Sequence, residues 1–172
     1  GFGDVCVNST SNTNSFEISG TDLTAGNITV GPLDGFAFSS SANGAYTSTL
    51  TIAQTGGTLA ATAVYVQFTP TAAQIYNGDI TISGGGATAA VAVTGSGTTS
   101  SLTVTTLDSS SITSNSAVLR GAVVTGDCGG AVTEWGIEYS SVQNFPAGFT
   151  DTIRATGSNQ SDYTVSVPNL IQ

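Results

Sequence analysis

Residues 61–97 read ATAVYVQFTPTAAQIYNGDITISGGGATAAVAVTGSG, and this stretch decides the fold class. Val64, Val66 and Phe68 alternate with Ala63, Tyr65 and Gln67; Ile80 and Ile82 follow Asn77-Gly78; Val91 and Val93 precede Gly-Ser-Gly. Alternation at period two marks a half-buried strand, because successive side chains of a strand point to opposite faces. The stretch therefore predicts three consecutive strands, joined by two tight turns and ended by a Gly-Ser-Gly stop. No segment of the sequence suggests a helix, so the fold class expected is an all-β sandwich.

Outward from that stretch, composition sets bounds. A length of 172 residues suits one or two domains, and the seam GSGTTSS at residues 95–101 divides the chain into two pieces of domain size. The expected organisation is a sandwich over 1–97, a linker over 98–101 and a second sandwich over 102–172. Hydrophobic residues make up 39% of the chain and mean hydropathy is +0.20, enough for two thin cores. Two Lys and Arg stand against 11 Asp and Glu, for a formal charge of −9. Phosphate backbones are bound through Lys and Arg that release counterions, so a nucleic-acid partner is excluded. Charged residues amount to 8%, against roughly 25% in ordinary soluble domains, so Thr, Ser, Asn and Gly carry the solvation. That composition suits an extracellular, protease-exposed stalk. No run of 18 apolar residues occurs, so no membrane insertion is expected. No basic-then-apolar leader opens the chain at GFGDVCV, which reads as an excerpt from a longer polypeptide.

The run VYVQFTPTAAQIYNGDITISGG followed by VAVTGSG resembles the closing half of the immunoglobulin-like repeats of large secreted and cell-surface proteins of gliding bacteria. Phe68, Pro70, Tyr76, Gly78, Ile80, Val93, Gly95 and Gly97 fill the positions of that pattern. VNSTSNTNSFEISGTDL is similar to the family's first strand and ITVGPLDGFAFS to its second. After the seam, SITSNSAVLRGAVVTGDCGGAVTEWGIEYS resembles strands A to C of a fibronectin type III-like repeat, and DYTVSVPNL the strand before its final hairpin. The resemblance implies an adhesin-like, type IX-secreted protein with roles in adhesion or gliding motility. It also implies O-glycosylation at Asp-Ser/Thr-hydrophobic sequences, which makes Thr152 a candidate and Ser109 a weaker one. Asn8, Asn27 and Asn159 lie in N-x-S/T sequons, which carry little weight in a bacterial protein.

The second domain supplies candidate strands at 102–107, 116–124, 132–140, 151–155 and 163–167. A complete sandwich of this kind takes about seven. Ending at NLIQ, it is expected to lack its last strands and to expose an open edge and half a core. Either the polypeptide continues, or a neighbouring subunit donates the missing strand. In such an arrangement Cys6 is expected at the pole of the first domain remote from the linker. Cys128, in the loop TGDCGG, is expected on the linker side of the second. A separation of roughly 30 to 40 Å follows from strand length, far beyond the about 7 Å that a disulfide spans. The two are thus expected not to pair with each other; each pairs with a segment outside this chain, or both are free thiols.

Little catalytic chemistry can be assembled. The chain has no histidine, which removes Ser-His-Asp and Cys-His arrangements. Glu134 and Glu138 share one strand face about 13 Å apart, too far for a glycosidase pair at about 5 to 9.5 Å. Trp135, Ile137 and Tyr139 alternate with them, so the glutamates are expected in solvent and Trp135 in the core, with sugar stacking on Trp135 the competing reading. Asp4, Asp22, Asp34, Asp79, Asp108, Asp127, Asp151 and Asp162 fit no calcium loop of the D-x-D-x-D-G kind. A calcium site from Asp127 with a linker carbonyl is the one metal arrangement considered; no other cofactor is expected. GGGAT and TGSGTT open no helix and are hairpin and linker residues rather than phosphate loops.

These readings converge on a non-catalytic segment of a long extracellular surface protein, acting as a stiff spacer or a self-assembling repeat. Its expected partners are neighbouring repeats, further copies of the same protein and surface glycans. Two alternatives stand beside it: an accessory or carbohydrate-binding module of a secreted multidomain enzyme, and a filament subunit assembled by donated strands.

Overall fold

A computed structural model of the chain describes residues 1–140, the backbone of 150–156, and residues 162–168. The chain divides into two compact units, Gly1–Thr99 and Ser100–Gln172. Among the described residues every regular element is a strand, so no helix there is long and apolar enough to cross a membrane.

Unit 1 contains β1 (Asp4–Cys6), β2 (Asn14–Gly20), β3 (Ile28–Val30), β4 (Phe36–Ser39), β5 (Leu50–Ile52), β6 (Leu59–Phe68), β7 (Gly78–Gly84), β8 (Ala87–Val93) and β9 (Ser96–Thr98). They form a three-stranded sheet in the order β2-β6-β4, a four-stranded sheet in the order β5-β3-β7-β8, and the parallel pair β1-β9. The alternation of β6 works as its sequence predicts: Val64, Val66 and Phe68 are buried while Ala63, Tyr65 and Gln67 are half-buried on the other face. From the facing sheet, Ile28, Val30, Ile80 and Ile82 meet them in one cluster with Phe36 and Phe38. Each such side chain contributes about 1.5 to 3 kcal/mol by leaving water, which is why this face specifies the register.

Four local expectations need correcting. β6 and β7 are not a hairpin: they lie in different sheets, and residues 69–77 cross between them. Asn77-Gly78 is not a turn centre, since Gly78 opens β7 opposite Val93 and the Asn77 Oδ1 accepts the Gly95 N–H. ITVGPLDGFAFS is two strands, β3 and β4, which also belong to different sheets. The sheet change begins at Gly31, which has φ +81°, and a Cβ there would stand 2.5 Å from the Phe38 ring. Finally, the Gly-Ser-Gly stop ends β8 but then continues as β9, pairing Asp4 with Ser96 and Cys6 with Thr98. The β7–β8 turn is the hairpin expected, with Gly85 and Gly86 at φ +58° and +76°, the left-handed pair that a type I′ turn requires.

Unit 2 contains β10 (Leu102–Ser110), β11 (Ser116–Thr125), β12 (Glu134–Ser140), β13 (Thr150–Thr156) and β14 (Tyr163–Pro168). These fall within one to three residues of the five candidate strands. β10-β11-β14 and β12-β13 form its two sheets, all antiparallel. Val123, Tyr163, Val165 and Val167 make the buried centre, with Trp135, Ile137 and Tyr139 of β12 packed on it. Each unit is thus a β-sandwich, the second with three strands facing two among the described residues.

Phe68, with Phe38, is the largest fully buried side chain in unit 1, and its truncation to Ala removes a whole ring from the core. Phe68→Ala is expected to lower the stability of unit 1 by about 3 to 5 kcal/mol, whereas Val124→Ala, at an exposed position of unit 2, changes stability by less than about 0.5 kcal/mol. Urea unfolding of the two variants beside the parent chain checks both.

Candidate functional site

The cysteines can be placed unit by unit. β1 runs parallel to β9, so Cys6 lies opposite Thr98, and the Val7 N–H donates to the Thr98 carbonyl at 2.9 Å. Cys6 therefore sits at the end of unit 1 from which the chain leaves, not at the remote pole. The expectation failed because β1 carries the chain the length of its pairing with β9 before β2 begins. Cys128 follows β11 in a loop whose Gly126 N–H donates to the Ser101 carbonyl at 2.8 Å, beside the start of β10, as expected. Neither residue is a free thiol; both are disulfide-bonded. Of the two states expected for them, the free thiol is therefore removed.

Trp135 is half-buried, with its ring 4.3 Å from that of Tyr163 by centroids at an interplanar angle of 40°. Tyr163 is held in turn by its hydroxyl, which donates to the Gly136 carbonyl at 2.9 Å. The Trp135 indole N–H is buried and meets no acceptor among the described residues. Trp135, Asp162, Tyr163 and Thr164 line a shallow groove of about 510 Å³. Arg120 reaches the Asp162 carboxylate at 2.9 Å, an exposed ion pair worth about 0 to 1 kcal/mol. Glu134 and Glu138 are exposed on the opposite face of β12 from Trp135, Ile137 and Tyr139, as their alternation predicts.

The remaining candidates lie apart. Asp127 is exposed, and no group of three or more acidic or cysteine side chains that could hold a metal ion occurs among the described residues. Ser109 is exposed in the irregular end of β10, where the ladder with β11 shifts register. Thr152 stands in β13 opposite Glu138, and its side chain, like those of Asp151 and Arg154, lies outside the described residues, as does Asn159.

Two features were not read from the sequence. The first is the phenol of Tyr76, which accepts the N–H groups of Thr71 and Ala72 at 3.1 and 2.9 Å and closes the crossover between β6 and β7. Its neighbours, the Thr71 hydroxyl first and the backbone N–H groups after it, hold its pKa below the ordinary 10.0 against the opposing effect of burial. The second is a cleft of about 330 Å³ along the seam between β2 and β8, where Ile18 and Leu23 face Ile82 and Val91. Ile82 and Val91 stood in the alternating pattern of the sequence, but which strands would border each other across the sandwich was not legible.

On unit 2, Leu102 and Val104 are 58% and 64% exposed although Val104 is paired with the buried Val123 on the inner face. Among the described residues β12 pairs along one edge, with β13.

No protein-family model matches the chain, and no curated protein matches it significantly.

Oxidised cysteines do not react with alkylating agents. Iodoacetamide added to the native chain without reductant is expected to modify neither Cys6 nor Cys128, and to modify both after reduction; two readily alkylated residues before reduction would contradict the assignment.

Proposed function

We propose that this chain is a non-catalytic structural segment of a long extracellular surface protein, in which successive sandwiches serve as spacers or as self-assembling repeats. The observation that carries the reading is the parallel pairing of the first and last strands of unit 1. Because β1 and β9 run the same way side by side, the chain enters and leaves unit 1 in the same direction, the Phe2 N–H bonding the Thr94 carbonyl and the Val7 N–H the Thr98 carbonyl. A module built so can be joined in line with others through short connections. The oxidised state of both cysteines supports an oxidising, extracytoplasmic setting. Low charge and many Thr, Ser and Gly residues support the same setting. Adhesion, gliding motility and type IX export rest on the family resemblance alone.

A second reading, a carbohydrate-binding module of a secreted enzyme, draws on the groove beside Trp135, where an aromatic ring stands next to a carboxylate and a hydroxyl. The half-buried position of Trp135 against Tyr163 favours the structural role.

Protease treatment of intact source cells, followed by fractionation, tests the proposal. Peptides of this chain are expected to be released from the cell surface with Cys6 and Cys128 oxidised. Recovery in the cytoplasm with both cysteines reduced would overturn it.

A further inference from the structure

Beside the three-residue pair β1-β9, four strands end the two larger sheets of unit 1: β2 and β4 in one, β5 and β8 in the other. An edge strand presents unpaired N–H and C=O groups and templates another strand unless shortness, charge, proline or a bulge prevents it. β4 has four residues and β5 three. β2 has seven but carries Glu17, and its ladder with β6 shifts register between Ile18 and Gly20. β8 has none of these guards. Its seven residues, Ala-Thr-Ala-Ala-Val-Ala-Val, hold neither charge nor proline and run in unbroken register with β7 from Gly84↔Ala87 to Gly78↔Val93. Residues 87–90 and 92 are exposed.

We propose that β8 is a self-association edge, paired antiparallel with β8 of a second copy about a two-fold axis at Ala90, so that two four-stranded sheets become one of eight. Parity allows this register. Val93 meets Ala87 and Val91 meets Ala89 on the inner face, while Thr88 meets Ala92 and Ala90 meets its counterpart on the outer face. Every inward residue thus stays inward, and each valine stands opposite a small residue.

The self-complementary register makes a second copy the occupant, and charge along the edge does not oppose it. Chains of charge −9 repel one another, and β8 is a long edge along which they can meet without opposing like charges. Nothing acidic on β8 would draw a basic partner instead; the one charge its ladder holds, Asp79, sits on β7 opposite Ala92. The cleft between β2 and β8 adds a separate reason. Ile18 and Val91 are half-buried at its mouth, and a strand added beyond β8 extends the inner face across that mouth. The pairing deepens the structural reading above, names its partner, and rests on it.

Sedimentation equilibrium of the oxidised chain tests it, with Ala90→Lys placing two cations face to face and Thr51→Lys, on the exposed edge β5, as the control. The parent and Thr51→Lys are expected to be dimeric. Ala90→Lys is expected to raise the dissociation constant up to about fivefold while its circular dichroism stays that of the parent. Directly opposed residues of an antiparallel pair have Cα atoms about 4.5 to 5.5 Å apart, within disulfide reach, so Ala90→Cys is expected to form a covalent dimer on mild oxidation and Thr51→Cys is not. A parent chain monomeric at all concentrations, a dimer as tight in Ala90→Lys as in the parent, equal weakening by Thr51→Lys, or equal cross-linking of the two cysteine variants would each overturn the β8 pairing. None of these outcomes bears on surface location, which the cell fractionation decides separately.

Discussion

The ring of Phe68 is the constraint on which unit 1 is arranged. It stacks on Phe36 at 4.8 Å, meets Tyr76 edge-on at 5.3 Å and lies 6.0 Å from Phe2. Those partners come from β4, from the crossover after β6 and from the segment before β1, so one side chain ties together parts of the chain far apart in sequence. Its position also dictates two glycines. A Cβ at Gly35 would approach the ring to 3.1 Å and one at Gly95 to 2.9 Å, so these positions are small because the ring is large. With Pro70 fully buried next to it and the Tyr76 phenol holding Thr71 and Ala72, the crossover that joins the two sheets is packed rather than loose.

The same cluster fixes the ends of the unit. Tyr76 donates its N–H to the Gly95 carbonyl, and the Gln74 carbonyl accepts the Gly97 N–H. The crossover thereby lays down the path of β9, to which β1 then pairs. The parallel run of the two chain ends and the position of Cys6 beside Thr98 both follow from where an aromatic ring is buried. A structural role for the module needs little more: a core, a chain that enters and leaves in the same direction, and edges whose pairing is controlled.

Strand positions were largely legible in the sequence, and strand partners were not. The five strands of unit 2, the β7–β8 hairpin and the inward face of β6 all follow from alternation and glycine pairs, which are local. Whether β6 turns back on β7 or crosses to the other sheet depends on the burial of Phe68, Pro70 and Tyr76 together, and no local pattern encodes that. β1 and β9, at three residues each, are too short to alternate, and their ladder is a contact across some ninety residues. Missing that pair misplaced Cys6 within unit 1. Among the site candidates, the outward glutamates and inward Trp135 were readable because β12 alternates cleanly, whereas the cleft beside β8 arises from two strands brought together by topology.

The intact mass and peptide map of the polypeptide purified from its native source test the central claim, that this is one stretch of a long structural array. The account predicts a mass far above 17.1 kDa, with further segments of the VYVQFTP and VAVTGSG patterns. A large polypeptide that instead carries a histidine-containing catalytic domain and no further sandwich repeats would contradict it, as would a mass near that of this chain alone.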